Sequence, residues 1–285
     1  MNGETYRFKV GRFECLAVND GVSAYPNRTF FVNAPDDQLE QALLRHNILS
    51  GEMPVPWISL LINTGPRLVL VDTGGGPDLA PSAGKLFGAL RSEGFEPGDI
   101  DMVIITHGHP DHIGGNTDAQ GRPAFPKARY VMYKAEWDFW TTESGSTQLD
   151  RDEEVRQMMG LFIGKNLPPI KGQLDLVDRE MEIAPGIRVI DASGHTPGHM
   201  ALDISSEGEK LIYISDAVFH PIHFEHPDWY AGFDLVPEQA VAARRRLLKR
   251  IADEKAWTMA SHLPFPGLGR VIPKGEGWQF QPVEP

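Results

Sequence analysis

Cysteine is nearly absent: Cys15 stands alone among 285 residues, which excludes an intramolecular disulfide and a cysteine-based zinc site. Its setting, Phe13-Glu14-Cys15-Leu16-Ala17-Val18, reads as a core or sheet position rather than a nucleophile's. Long apolar runs are missing too. None approaches the roughly 18 residues of a membrane span, and the polar start Met1-Asn2-Gly3-Glu4 lacks the layout of a secretory leader. The expectation is a soluble cytoplasmic protein with no membrane partner. Basic residues are in deficit, 27 against 39 acidic, and a formal net charge of -12 argues against a nucleic-acid partner. The one basic run, Arg244-Arg245-Arg246 with Lys249 and Arg250, falls on a predicted helix and reads as its solvated face. No Lys-Ser or Lys-Thr pair follows Gly74-Gly75-Gly76, which removes a nucleotide loop. No Gly-x-Ser-x-Gly elbow is present to offer a serine nucleophile.

What the chain does have is a concentration of metal-binding side chains. The stretch Met102 to Asn116 begins with Val103-Ile104-Ile105, short and β-branched as a buried strand should be, and then packs His107, His109, Asp111 and His112 into six residues. Imidazole and carboxylate are the donors a borderline divalent cation prefers. With 10 histidines in the chain, such a string arises by chance on the order of once in a thousand sequences. Gly108 and Pro110 suit a tight backbone path around an ion.

The string resembles the signature of the metallo-β-lactamase superfamily of binuclear metallohydrolases. The resemblance implies three further ligands, and each has a counterpart: His195 in Gly194-His195-Thr196-Pro197-Gly198-His199, Asp216 after Leu211-Ile212-Tyr213-Ile214-Ser215, and His262 in Ala260-Ser261-His262-Leu263. By that resemblance His107, His109 and His195 hold one metal, Asp111, His112 and His262 the other, and Asp216 bridges them. His199 is then structural. Asp72, in Leu68-Val69-Leu70-Val71-Asp72-Thr73-Gly74, matches a recurring strand-end aspartate that orients the ligand loop through hydrogen bonds. The implied cofactor is two divalent ions, zinc first, although the same donors accept manganese, iron or cobalt. The implied fold is mixed α/β, a four-layer αββα sandwich. Length alone suggests about two domains, whereas the resemblance implies one, spanning 1–285.

Along the chain, Tyr6 to Val18 alternates as a hairpin strand does, with Asn19-Asp20-Gly21 as the expected turn. Ala24 to Asn33 reads as a loop whose aromatics, Phe31 among them, are candidates to line a pocket. Asp36 to His46 and Leu86 to Glu93 read as helices, Val55 to Asn63 and Arg67 to Asp72 as strands, and Asp72 to Gly76 as a flexible loop. After strand Arg129–Tyr133 and a helix whose Trp140 is a candidate for substrate contact, residues 141–169 have no counterpart in a minimal sandwich. They combine a polar linker, Thr142 to Gln148, with a helix over Asp152–Ile163, and are expected to cap the active site with Met158 and Phe162 toward substrate. The second half repeats the theme with short strands from Gln173 to Ser215. Pro237 to Ile251 is a helix, and Thr258 to Ser261 the strand that delivers His262.

Two such cations activate a shared water and polarise an electrophile's oxygen, so the expected reaction is hydrolysis. Asp111 is the candidate to orient the nucleophile and move a proton to the leaving oxygen. The tail Ser261 to Gly269, together with the cap and the Pro237 helix, looks similar to the methyl parathion hydrolase branch, which holds broad lactonases and arylesterases. The expected substrates are small apolar lactones or esters, with phosphotriesters as an extension. Better-known lactonases carry a tyrosine three residues after the bridging aspartate. This chain has Phe219 there, which leaves His220 or His223 as the candidate donor to a substrate carbonyl. A glyoxalase II-like thioesterase or a phosphodiesterase is the alternative, and a non-catalytic metal-binding scaffold the reading from a different class. A homodimer is the expected assembly.

Overall fold

The computed structural model describes residues 4–142 and 152–283, and the chain divides into two compact units, Met1–Gly21 with Trp57–Glu180 and Val22–Pro56 with Met181–Pro285. The first sheet runs in the order β1 (Thr5–Val10), β2 (Phe13–Pro26), β3 (Glu52–Asn63), β4 (Leu68–Val71), β5 (Met102–Ile104), β6 (Arg129–Tyr133), β7 (Leu174–Val177). β4, β5, β6 and β7 are parallel neighbours. Val69, Leu70, Val71, Val103 and Ile104 are fully buried, as strands covered on both faces require. The register pairs Val71 with Ile104, so β4 and β5 end level and release Asp72 and the Thr106–His112 stretch at the same sheet edge.

The helices of this unit are α2 (Gly76–Leu79), α3 (Leu86–Ser92), α4 (Pro110–Ile113), α5 (Lys134–Thr141) and α6 (Glu153–Asn166); α1 (Asp36–Arg45) belongs to the second unit. The Asp152 side chain caps α6 by accepting from the Val155 amide. Most of the expected linker, residues 143–148, lies outside the described residues.

The second sheet has the order β14 (Gly277–Pro282), β13 (Leu268–Lys274), β12 (Trp257–Met259), β11 (Glu209–Tyr213), β10 (Met200–Ser206), β9 (Ile187–Asp191), β8 (Glu182–Ala184). β11 and β12 are parallel, with Tyr213 level with Met259, so Asp216 and His262 emerge beside each other. α7 (Ile222–Glu225) and α8 (Pro237–Glu254) complete this unit. α8 buries Ala240, Ala243, Arg244, Leu247, Leu248 and Ile251, the one-face spacing of an amphipathic helix. Among the described residues no helix is long and apolar enough to cross a membrane.

Four local expectations need correction. The first hairpin turns at Gly11-Arg12, where Val10 pairs with Phe13, and β2 continues straight through Asn19-Asp20-Gly21. Asp20 is fully buried; its carboxylate accepts from the amides of Gly75, Gly84 and Leu86 at 2.9, 3.1 and 2.8 Å, which removes the turn former's usual need for solvent. The same bonds order the glycine loop, which is packed rather than flexible. β7 belongs to the first sheet, paired with β6, and so does not open the second half. The basic run is not uniformly solvated, because Arg244 points inward and is fully buried.

Candidate metal centre

In the first unit, Asp72 sits just past β4 with a left-handed φ of 59° and organises the ligand loop. Its Oδ1 accepts from the Thr106 amide at 2.8 Å and its Oδ2 from the Thr106 hydroxyl at 2.9 Å. His112 Nδ1 donates to the same Oδ2 at 2.9 Å, which fixes the tautomer and leaves Nε2 with its lone pair outward. Thr106 Oγ1 also lies 3.1 Å from His107 Nδ1, and His107 Nε2 faces His109 Nδ1 at 3.0 Å. Two imidazole nitrogens at that distance must share a proton or a cation. Pro110 starts α4 immediately after His109, and its turn presents Asp111 beside His112, Oδ2 to Nε2 at 3.5 Å. The turn is pinned from below: an added Cβ on Gly114 would stand 1.9 Å from the Gly75 carbonyl oxygen, so only glycine lets the two backbones touch.

The second unit supplies His195, Asp216 and His262. His195 Nδ1 is held by Asp234 Oδ1 at 2.9 Å and His262 Nδ1 by the Pro56 carbonyl at 2.9 Å. With those protons placed, both Nε2 atoms present lone pairs, and both face one oxygen: Asp216 Oδ2 lies 3.6 Å from His195 Nε2 and 2.8 Å from His262 Nε2. Two lone pairs against a buried carboxylate repel unless a cation sits among them. The donor chemistry therefore fits a divalent metal. His199 is structural, its Nδ1 held by the Ala192 carbonyl and its Nε2 accepting from the Asp216 amide at 3.3 Å.

The candidates for substrate contact are placed as follows. Trp140 is buried, and its indole N–H is spent on Glu136 Oε1 at 2.6 Å. The same oxygen accepts from the Gly108 amide at 2.8 Å, so Glu136 and Trp140 brace the ligand loop. On α6, Met159 and Ile163 face inward, Met158 is exposed and Phe162 half-buried. Asn166, at the end of α6, accepts from Thr117 Oγ1 at 3.0 Å, which ties this segment to the chain just past the ligand loop. In the second unit Phe31 belongs to an aromatic core with Phe30, Phe219 and Trp229. His223 is a core residue rather than a free donor: Nδ1 accepts from the Phe219 amide and Nε2 donates to the Phe30 carbonyl at 3.0 Å. Burial, with the nearby Arg244 charge, holds its pKa well below the ordinary histidine range. Burial also pushes His220 down to about 3, with a smaller contribution from His46. Phe219 stacks on the His262 ring, centroids 5.3 Å apart and planes at 10°, and meets His195 edge-on at 5.5 Å. Cys15 is buried and its thiol pushed up to about 12, which removes it as a nucleophile.

Sequence reasoning missed Asp234, Glu136, Asp20 and the inward Arg244. Only Arg244 carried a local signal, since it falls on the apolar stripe of α8 rather than on its polar face.

The model of the metallo-β-lactamase superfamily matches residues 58–262, and the chain belongs to that superfamily. Its two mixed sheets and their helices match the metallo-β-lactamase sandwich fold. An N-acyl homoserine lactonase, AiiA, from Bacillus thuringiensis subsp. kurstaki is 26% identical over 258 residues, covering 82% of this chain and 92% of its own. AiiB, the N-acyl homoserine lactonase of Agrobacterium fabrum, is 27% identical over 213 residues, 65% of this chain and 71% of its own. Among solved structures, AidC, a dizinc quorum-quenching lactonase in complex with a product, aligns with TM-score 0.90 and 30% identity over 99% of this chain and 98% of its own. The hydrolase AbOPH aligns with TM-score 0.91 and 25% identity over the same shares. The protein is a metal-dependent hydrolase of the binuclear kind.

Proposed function

We propose that the protein opens small acyl lactones, N-acyl homoserine lactones among them, using two zinc ions held by His107, His109, His195, Asp111, His112, His262 and a bridging Asp216. The observation that carries the reading is the state of the histidines. His112, His195 and His262 each have Nδ1 tied to an oxygen, which turns Nε2 into a ligand atom. By the family resemblance His107, His109 and His195 would hold one ion and Asp111, His112 and His262 the other, with Asp216 as the shared ligand; within the second unit Asp216 Oδ2 lies 2.8 Å from His262 Nε2. The likeness to a dizinc lactonase over nearly the whole chain supports zinc and the lactone substrate together. When bound, the ions would supply Lewis-acid polarisation and an activated water.

The chain's own side chains do the rest. Asp111 orients the nucleophile and returns a proton to the leaving alkoxide. Asp72 holds His112 in its ligand tautomer, and Glu136 fixes the path of the Gly108 backbone. We read 1–285 as one catalytic domain, with residues 141–169 as its cap. Phe219 offers no hydroxyl to a substrate carbonyl, and this favours a second reading with broader acceptance of aryl esters and phosphotriesters.

The test is turnover by zinc-loaded protein, with and without chelator, on acyl-homoserine lactones, γ- and δ-lactones, p-nitrophenyl esters, a phosphotriester and a glutathione thioester. Chelator-sensitive lactone opening is expected. Ester or phosphotriester cleavage without lactone opening selects the second reading, and thioester cleavage alone overturns both.

A further inference from the structure

α8 carries a guanidinium where an amphipathic helix ordinarily places an apolar side chain. Arg244 is fully buried, in line with Ala240, Ala243, Leu247, Leu248 and Ile251. Its neighbours behave differently, for Arg245 pairs with Asp228 and Arg250 with Asp203 and Glu254 on exposed or half-buried surface. Arg244 instead reaches behind the metal donors. Its Nε donates to the Ala217 carbonyl at 2.5 Å, and Ala217 directly follows Asp216. Its Nη1 donates to the carbonyls of Pro227, at 3.0 Å, and Trp229. Its Nη2 faces Asp234 Oδ2 at 3.7 Å. Asp234 is buried as well. It accepts from the Ala231 amide on Oδ2 at 3.0 Å and holds His195 Nδ1 with Oδ1 at 2.9 Å.

We propose that Arg244 is a positioning residue for metal uptake, which holds Asp234 against His195 and fixes the Ala217 carbonyl beside Asp216, and so aims both donors from one side chain. The inference rests on the metal reading above. A charge buried in an apolar stripe is costly unless its donors find acceptors, and an aliphatic residue at 244 would continue the stripe at no such cost. The planar fork of arginine hydrogen-bonds the carbonyls through Nε and Nη1 while Nη2 keeps the charge 3.7 Å from the Asp234 carboxylate, a charge contact without a hydrogen bond, whereas lysine delivers a single point charge and cannot do both. Partners that orient a metal-bound histidine typically change metal affinity by about 10- to 100-fold when lost.

The experiment compares the full-length parent with Arg244→Lys, Arg244→Gln, Asp234→Asn and the Arg244→Lys/Asp234→Asn double variant. Zinc stoichiometry and affinity are read by competition with a chromophoric chelator, ligand geometry by the visible spectrum of the cobalt form, and the fold by unfolding of the metal-free protein. The expected result is a loss of affinity of about 10-fold or more in each single variant, with an altered cobalt spectrum. The double variant should bind no more weakly than the worse single one, because Arg244 acts through Asp234. Parental affinity and spectrum in Arg244→Lys, with only the metal-free stability lowered, would overturn the inference and reduce Arg244 to a packing role. If neither Arg244 variant folds, Asp234→Asn decides alone, since it keeps the three carbonyl bonds, and parental zinc affinity there overturns it. A parent that takes up no divalent metal overturns the functional reading itself, an outcome distinct from a parent that binds two ions as tightly as its variants.

Discussion

The two sets of proposed metal donors are built differently. In the first unit four donors lie between His107 and His112, on one loop and the first turn of α4, and the carboxylates of Asp72 and Glu136 aim them through short hydrogen bonds. Asp72 meets both hydrogen-bond donors of Thr106, one residue ahead of the motif, and Glu136 takes the Gly108 amide. In the second unit the donors are spread from His195 to His262 on three separate strand ends. Each unit nevertheless places a buried carboxylate 2.9 Å from a ligand histidine's Nδ1, Asp72 for His112 and Asp234 for His195. What differs is the anchor behind the carboxylate, a threonine next door in one case and an arginine from a distant helix in the other. Contiguous donors can be aimed by short hydrogen bonds to carboxylates close by. Dispersed ones need a long side chain to tie their strand ends together.

The largest expected effects come from removing a donor in either unit. His109→Ala and Asp216→Asn should each lower lactone turnover by at least about 1,000-fold, roughly 4 kcal/mol of barrier. Asp216→Asn should be the more severe, since its Oδ2 faces two histidines. Steady-state kinetics with metal content measured on the same sample decides, and near-parental turnover by either would break the binuclear scheme. Next in size are the backbone contacts. Gly114→Ala would drive a Cβ to 1.9 Å from the Gly75 carbonyl, and Gly194→Ala, at φ +140°, to 2.1 Å from the Ala240 amide at the start of α8. No flexible side chain can yield at either place, so each should cost about 3 kcal/mol or more in denaturant unfolding of the metal-free protein. An unperturbed midpoint in one of them would show that its backbone approach is looser than the other's.

The contrast also explains what could be read in advance. The first donor set is legible because four ligand residues, three histidines and an aspartate, fall within six positions at the end of an apolar run. His195, Asp216 and His262 have no mutual spacing and emerge only through their likeness to a family pattern. The supporting residues are less legible still. Asp20 sits in an Asn-Asp-Gly string that signals a turn, yet three amides from the glycine loop and the start of α3 satisfy it inside a strand. Asp234 lies in an irregular stretch and acquires its role only when the chain brings it to His195. Arg244 hides in a basic run, although its place on the apolar stripe was visible in the sequence. Long-range hydrogen bonds leave no local periodicity, which is why the element pattern could be read more fully than the bracing of the site.

A smaller change sharpens the comparison from the first unit's side. Asp72→Asn keeps the size of the side chain but can no longer accept on both oxygens, so zinc affinity should fall by about 10- to 100-fold in chelator competition. A loss equal to that of Asp234→Asn would mean that the two carboxylates contribute alike despite their different anchors. A parental affinity would mean that Thr106 and the backbone alone hold the first donor set.

The smallest expected effect concerns histidines of the second unit that serve packing instead of metal. His220 is nearly buried, accepts from the Ile222 amide at 3.2 Å, and lies 5.1 Å from the His46 ring, which is bonded to Glu225; Arg45 pairs with the same carboxylate. Its pKa is pushed down to about 3, first by burial and then by His46. Because the unfolded chain takes up the proton near pH 6.5 while the folded one resists it until about pH 3, stability is full above 6.5 and falls as the pH drops through that window. The slope from this one group is about 1.4 kcal/mol per pH unit. Other groups titrate in the same range, so the measurement is a difference: metal-free parent and His220→Gln are unfolded in denaturant at several pH values from 7 to 5. The variant should show a pH dependence shallower by about 1 kcal/mol per unit. Parallel profiles would mean that His220 gains its proton without leaving the folded state, which the burial of its ring among Phe31, His46 and Ile222 opposes.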